Sequence, residues 1–83
     1  MKVSYFSWLR SKTGLSSEEI DLPDNCNSIS MLVDLLSDRY PDLAAVANAD
    51  GSLRFTLNRR YVERDHPLRP MDTVGLFPPV TGG

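Results

Sequence analysis

The sequence of 83 residues predicts one α+β domain, in which a single main helix packs across one face of a mixed sheet. One long segment has apolar residues at helical spacing, and several short segments alternate apolar and polar residues as half-buried strands do. No internal repeat is visible in the sequence. The elements follow in the order β-β-α, loop, β-β-β. We therefore expect the first and last strands to lie side by side at the centre of the sheet.

A hairpin is predicted at the start of the chain. Residues 2–8, KVSYFSW, are rich in aromatic and β-branched types and predict a strand that ends near Leu9. A polar turn follows, with a helical turn at residues 9–12. Residues 18–23, EEIDLP, predict the second strand of the hairpin, because their apolar residues alternate with acids.

The main helix is predicted to begin after Ser28, a residue type that is favoured at helix N-caps. Pro41 ends it, because the residue before a proline avoids the helical region of backbone space. Residues 42–52 are predicted to form a loop, with room for a short helical turn. The apolar stripe of the helix consists of Ile29, Leu32, Val33, Leu36 and Tyr40.

Three short segments of alternating apolar and polar residues predict the remaining strands. They cover residues 53–57, 60–62 and 73–77. A tight turn at Asn58 and Arg59 joins the first two, and Val74 and Leu76 share one face of the last. Residues 63–72 contain two prolines and several charges, so we predict a loop there.

The composition argues against several classes of protein. Nine Lys and Arg residues against eleven Asp and Glu residues give a net charge of −2. The arginines are interspersed with acids, which is typical of solvated strands and turns and not of a nucleic-acid surface. No segment has the run of about eighteen apolar residues that a membrane span needs, and the N-terminus lacks the apolar region of a signal peptide. We expect a cytoplasmic protein that binds neither nucleic acid nor membrane.

No catalytic or metal-binding constellation is visible in the sequence. Cys26 is the one cysteine, which excludes an intramolecular disulfide and a site built on four cysteines. Cys26 and His66 both lie in turn-like stretches, and we interpret them as a bystander thiol and a turn histidine, not as a nucleophile pair. The sequence contains no glycine-rich loop before a helix and no HExxH or GxSxG motif. We expect no bound cofactor, no metal and no active site of its own.

The C-terminal residues FPPVTGG have the features of a segment that delivers its terminus to another protein. Residues 78–81 are two prolines and two β-branched residues, which favour an extended path. Gly82 and Gly83 lack side chains and can pass a narrow channel. The α-carboxylate of Gly83 can attack the α-phosphate of ATP, and a persulfide can displace AMP from the acyl-adenylate to leave a thiocarboxylate. On these residues alone, an inert frayed tail stays open as an alternative.

The run DHPLRPMDTVGLFPPVTGG, with NRRYV before it, resembles the C-terminal half of the small subunit of molybdopterin synthase, the MoaD family. Weaker similarity continues through LRSKTG and the SISMLVDLL helix, so it covers essentially the whole chain. The resemblance implies a β-grasp, ubiquitin-like fold, with residues 1–77 as the domain and 78–83 as an extended tail. Relatives often have Gly in the turn where this chain has Pro70-Met71-Asp72, and also at the position of Arg59. The hairpin turn at Arg59 is therefore expected to be strained or longer.

The resemblance also implies the function of a sulfur carrier that is not itself catalytic. An ATP-dependent activating enzyme adenylates Gly83, and a sulfur donor protein then supplies the sulfur of the thiocarboxylate. The large subunit holds the catalytic pocket and passes this sulfur to cyclic pyranopterin monophosphate, which forms the dithiolene of molybdopterin. The synthase is typically a heterotetramer, and ATP is used by the activating enzyme.

The same resemblance assigns residues to the interface with the large subunit. Phe77 is the expected interface anchor, since buried aromatic residues tend to dominate binding energy, and Gly82 passes the constriction. The other tail residues expected at the interface are Pro78, Pro79, Val80 and Thr81.

Three alternative functions stay open. The first is a sulfur carrier for another acceptor, such as the thiamin thiazole or a transfer RNA base. The second is a ubiquitin-like modifier that is attached to lysines. The third is an interaction module with an idle tail.

Overall fold

The computed structural model describes residues 1–47 and 53–78, and its elements alternate short strands with helices. They are β1 (Lys2–Tyr5), α1 (Leu9–Thr13), β2 (Ser17–Glu19), α2 (Ile29–Arg39), α3 (Pro41–Ala47), β3 (Arg54–Leu57), β4 (Arg60–Val62) and β5 (Thr73–Phe77). Within these ranges the strands form one five-stranded sheet in the order β2-β1-β5-β3-β4. No helix in the described part of the chain is both long and apolar enough to cross a membrane.

The centre of the sheet is formed by the first and last strands, as predicted. β5 pairs with β1 in parallel and with β3 in antiparallel orientation. Val74 and Leu76 point to the same side and are fully buried, together with Val3 and Tyr5 on β1. Alternate residues of both strands point to the opposite side of the sheet, which we call the outer face.

Helix α2 packs its apolar stripe against the inner side of this sheet. Four residues of the predicted stripe are buried in the core: Ile29, Leu32, Val33 and Leu36. The hydroxyl of Ser28 accepts a hydrogen bond from the Met31 N–H at 3.2 Å, which confirms the predicted N-cap. The N–H groups of Ile29 and Ser30 donate to the carbonyls of His66 and Arg64, so the loop before β5 holds the start of the helix.

The predicted limits of the first two strands were wrong. β1 ends at Tyr5 and not near Leu9, because Ser7 adopts a left-handed φ of 57° and turns the chain into α1, where Leu9 is buried. α1 itself confirms the predicted helical turn and extends it to Thr13. β2 covers Ser17–Glu19 only and not residues 18–23, although the N–H of Ile20 still donates to the Met1 carbonyl. The antiparallel hairpin of β1 and β2 is confirmed.

The segment after Pro41 is a seven-residue helix, whereas the sequence predicted a loop with room for only a short helical turn. Proline ends α2, but its fixed φ also suits the first position of a new helix, and Asp42 adds an acidic residue to the first turn of α3. Leu43 anchors this helix in the core. The predicted loop residues 48–52 lie outside the described residues.

The hairpin of β3 and β4 has the predicted two-residue turn. Asn58 and Arg59 both have positive φ values, 51° and 73°, as a type I′ turn requires. Glycine is the usual second residue of such a turn, so the backbone of Arg59 is strained. Of the two expectations for this turn, strain is confirmed and a longer loop is not.

Glu18 connects the edge strand β2 with the helical layer. Its Oε2 accepts hydrogen bonds from the hydroxyls of Tyr5 and Tyr40, both at 2.6 Å, and Arg39 Nη1 lies 3.8 Å from its Oε1. Burial and the bond to Glu18 raise the pKa of Tyr5. The bond to Glu18, followed by burial, raises the pKa of Tyr40. Both hydroxyls therefore hold their protons more tightly in the folded protein than ordinary tyrosines do.

Candidate functional site: an aromatic surface at the end of the central strand

The predicted tail begins directly after β5, the central strand of the sheet. Leu76 is fully buried between β1 and β3, and Phe77 is the last residue of β5. Pro78 has no N–H to donate, so the strand pairing stops there. The other predicted tail residues, Pro79, Val80, Thr81, Gly82 and Gly83, lie outside the described residues.

Phe77 belongs to a group of three aromatic side chains on the outer face, which we call the aromatic surface: Phe6, Tyr61 and Phe77. The rings of Phe6 and Phe77 are parallel within 1°, with their centroids 4.3 Å apart. The centroid of Tyr61 is 6.0 Å from that of Phe77. Phe6 and Tyr61 are 41% and 70% exposed, so the surface is available to a partner.

The strand pairing explains why these three rings meet. The N–H of Phe6 donates to the carbonyl of Leu76 at 3.0 Å, which continues the β1–β5 pairing past Tyr5 and sets Phe6 beside Phe77. Tyr61 faces Thr56 across the β3–β4 pair, and Thr56 faces Gly75 on β5. One row across the outer face therefore runs from the central strand to the edge.

Gly75 is needed for the close packing of this surface. A Cβ atom at this position would collide with Thr56 Oγ1 and would lie 3.1 Å from Phe6 Cε2 and 3.3 Å from Phe77 Cε1. The two phenyl rings thus cover a stretch of bare backbone. The role of this glycine is close approach of neighbouring side chains, since it has no left-handed φ.

Sequence reasoning identified Phe77 but missed Phe6, Tyr61 and Gly75. Phe6 was placed in a strand without a role, and Tyr61 was treated only as part of an edge strand. A signal was available for Phe6, because alternation from buried Val3 and Tyr5 places it on the outer face. No comparable signal identified Gly75, whose nearest neighbours include Thr56 on β3 and Phe6, which follows β1.

Comparison with known proteins identifies the family. Residues 3–83 match the family described as the ThiS family. This chain belongs to the ThiS family. It is 36% identical over 85 residues to the molybdopterin synthase sulfur carrier subunit of Escherichia coli (strain K12), covering 100% of this chain and 99% of that protein. It is 30% identical over 86 residues to the protein of the same name from Homo sapiens, covering 100% and 93%.

A solved structure supports the fold of this ThiS-family chain. A Pyrococcus furiosus protein, provisionally described as molybdopterin converting factor, subunit 1, superposes with a TM-score of 0.79 at 32% identity. The superposition covers 95% of each chain. Together with the sheet order, this similarity confirms the predicted β-grasp fold. The predicted resemblance to small subunits of molybdopterin synthase is likewise confirmed.

Cys26 and His66 have surroundings that do not suit nucleophilic catalysis. The Cys26 side chain is 6% exposed, and burial, with a smaller effect of Asp34, raises the pKa of its thiol. A nucleophilic cysteine needs the opposite shift. His66 is exposed, and its Nδ1 lies 2.8 Å from the Pro67 carbonyl, where an Nδ1–H would donate. Among the described residues, no group of three His, Cys, Asp or Glu side chains is arranged to hold a metal ion.

Proposed function

We propose that this chain is the sulfur carrier subunit of a molybdopterin synthase, with Gly83 as the residue that carries the sulfur. The observation that supports this most is its full-length similarity to the carrier subunits of Escherichia coli and Homo sapiens. The proposal is further supported by the position of Pro78, the first residue of the predicted tail, which directly follows the central strand beside an exposed aromatic surface. A rigid strand is a suitable base for a segment that must enter the site of another protein.

The proposed chemistry occurs at the terminal carboxyl group. A carboxylate oxygen of Gly83 attacks the α-phosphorus of ATP and pyrophosphate leaves, which gives an acyl-adenylate. The outer sulfur of a persulfide then attacks the acyl carbon and AMP leaves with the bonding electron pair. A thiol cleaves the resulting S–S bond, becoming part of a disulfide, and the chain retains a thiocarboxylate. Glycine suits this sequence because it has no Cβ that would hinder approach to its carbonyl.

The aromatic surface is the proposed docking site for the large subunit. Phe77 is its centre, because it contacts both other rings and directly precedes the tail. Aromatic residues that become fully buried on binding contribute most of the binding energy in many interfaces. A heterotetramer with the large subunit, adenylation by an activating enzyme that uses ATP, and a cytoplasmic location are further parts of this proposal.

The function is tested by the intact mass of the chain after incubation with an activating enzyme, ATP and a sulfur source. We expect a mass increase equal to the replacement of one oxygen by sulfur, located in the C-terminal peptide and absent when ATP is omitted. The Escherichia coli carrier subunit serves as the positive control. If that protein is converted under the same conditions and this chain is not, the proposal is wrong.

A second measurement separates the proposed acceptor from the alternatives. The thiocarboxylate form is mixed with the large subunit and cyclic pyranopterin monophosphate, and loss of sulfur from the chain is followed together with formation of molybdopterin. Loss of sulfur only with another acceptor would assign the chain to thiazole or transfer RNA thiolation. Covalent attachment to lysines of other proteins would assign it to the modifiers.

A further inference from the structure

A small depression lies on the outer face next to the aromatic surface. Its volume is about 220 Å³, and the ring of Phe6 and the backbone of Gly75 are among its boundaries. This volume is below the range of roughly 300–1,000 Å³ that is usual for small-molecule sites. The depression is therefore suited to a single side chain and not to a nucleotide or a cofactor.

The lining of the depression is mixed, with Phe6 and Val74 beside polar residues, and the charged residues among it are both cations. Lys2 and Arg59 are the charged side chains among its lining residues, and Ser4, Thr56 and Thr73 add hydroxyl groups. Lys2 begins β1 and Arg59 lies in the turn between β3 and β4, so both are at the same end of the sheet. Such a combination of cations and hydroxyl donors binds carboxylates.

Two acidic residues adjoin these cations in the strand pairing and the turn, Glu19 and Asp72, and both have other partners. Glu19 is in register with Lys2, but it is 80% exposed and its Oε2 lies 3.8 Å from the N-terminal ammonium of Met1. The two carboxylate oxygens of Asp72 accept hydrogen bonds from Asn58 Nδ2 at 3.0 Å and from the backbone N–H of Arg69 at 2.8 Å. Within residues 1–47 and 53–78, no carboxylate oxygen lies within 4.0 Å of a side-chain nitrogen of Lys2 or Arg59.

The backbone of Arg59 indicates that its side chain has a use. An L-residue in the left-handed region is less stable than in the right-handed one, because its Cβ approaches the following carbonyl oxygen, and glycine at the same place would avoid most of this cost. Arg59 nevertheless occupies this position at φ 73°. Strained backbone is common where a residue has a function, and Arg59 is one of the residues that line the depression.

We propose that the depression receives an acidic side chain of the large subunit, whose carboxylate pairs with Lys2 and Arg59. The proposal rests on the proposed function. Phe6 belongs both to the aromatic surface and to the depression, so a protein that covers one also covers the other. Covering two cations removes their hydration, and this is costly unless the partner supplies a negative charge. An acidic partner side chain is therefore the occupant that fits the position and the charge.

The experiment measures binding of the purified large subunit by calorimetry, with two matched variants that each remove one positive charge. Arg59→Gln removes a charge at the depression. Arg60→Gln removes one from the next residue, which is in register with inward-facing Leu57 and does not line the depression. In salt of about 0.05 M, we expect R59Q to bind roughly five- to tenfold more weakly than the unmodified chain, and R60Q to bind within about twofold of it.

Two further measurements distinguish a paired carboxylate from a general charge effect. The loss of binding affinity in R59Q is expected to shrink to about twofold in salt of about 0.5 M, where charge pairs near the surface are screened. R59K, which keeps the charge, is expected to retain most of the affinity. Circular dichroism of each variant verifies that the fold is intact before binding is compared.

Equal affinities of R59Q and R60Q, or no loss in R59Q, overturn this proposal and leave the proposed function in place. If the large subunit binds none of the chains, the docking proposal and this inference both fail. The ATP-dependent mass increase then shows independently whether the chain is still a sulfur carrier.

Discussion

Gly75 determines how closely Phe6 and Phe77 pack on the outer face. We predict that Gly75→Ala lowers the free energy of unfolding by about 1–2 kcal/mol, because the new methyl group collides with Thr56 Oγ1 and touches both rings. Urea denaturation measures the loss. The same variant is expected to bind the large subunit more weakly, since the two rings must move apart.

The partner of this collision provides the control. Thr56→Ala removes the colliding oxygen, so the double variant G75A/T56A is expected to be more stable than the sum of the two single changes predicts. Simple additivity would mean that the cost of G75A arises elsewhere, for example from the phenyl rings, and the assigned role of Thr56 would be wrong.

At the scale of the elements, strand β2 depends on the hydrogen bonds between Glu18 and two tyrosines. The folded-state pKa of Tyr5 is raised above the ordinary value of about 10 by burial and by Glu18. Stability from this protonated hydroxyl is therefore fully present below about pH 10 and is lost as the pH rises further. We predict that the free energy of unfolding falls more steeply above about pH 10 than it does in Tyr5→Phe.

Tyr61→Phe is the matched control for this pH dependence, because Tyr61 is 70% exposed and lies on the other side of the sheet. Its alkaline curve is expected to follow that of the unmodified chain. At neutral pH, Y5F loses only a hydrogen bond, at a cost of about 1 kcal/mol. If Y5F and Y61F have the same alkaline slope, Tyr5 is not the group responsible.

The elements that sequence predicted well are those whose signals lie within one segment. These local patterns are the cap at Ser28, the apolar stripe of α2 and the shared face of Val74 and Leu76 in β5. Each is present in the structure. Helix α3 was predicted only as a short turn within a loop, because Pro41 was interpreted as the end of a helix and not as the start of the next one. The end of β1 was missed, because aromatic residues that favour strands continue past Tyr5 into the turn.

The candidate site was predicted only as far as it lies in one stretch of sequence. Phe77 is part of FPPVTGG and was identified by resemblance to a family. Phe6 directly follows β1 and Tyr61 lies on β4, and they reach Phe77 only through the order and register of the sheet. The depression on the outer face was missed for the same reason. Lys2 and Arg59 are far apart in sequence, and only the sheet places both of them at its lining.

At the scale of the whole molecule, folding and sulfur transfer are expected to reside in separate parts of the chain. The buried core of the described residues extends from Val3 to Leu76, so removal of Gly83 takes away none of it. We predict that the free energy of unfolding of the chain without Gly83 lies within about 0.5 kcal/mol of that of the full chain. The shortened chain is expected to gain no sulfur with the activating enzyme and ATP. A large loss of stability would show that the two roles are not separate.

Cys26→Ser is the complementary variant, because it removes the chain's only sulfur nucleophile and leaves the terminus unchanged. The Cys26 thiol is buried and its pKa is raised, so it is protonated at neutral pH and closed to a persulfide donor. We therefore expect C26S to gain the same ATP-dependent mass increase as the unmodified chain, in the same C-terminal peptide. A C26S chain that folds but gains no sulfur would place the carried sulfur on the cysteine, and the assignment to Gly83 would have to be abandoned.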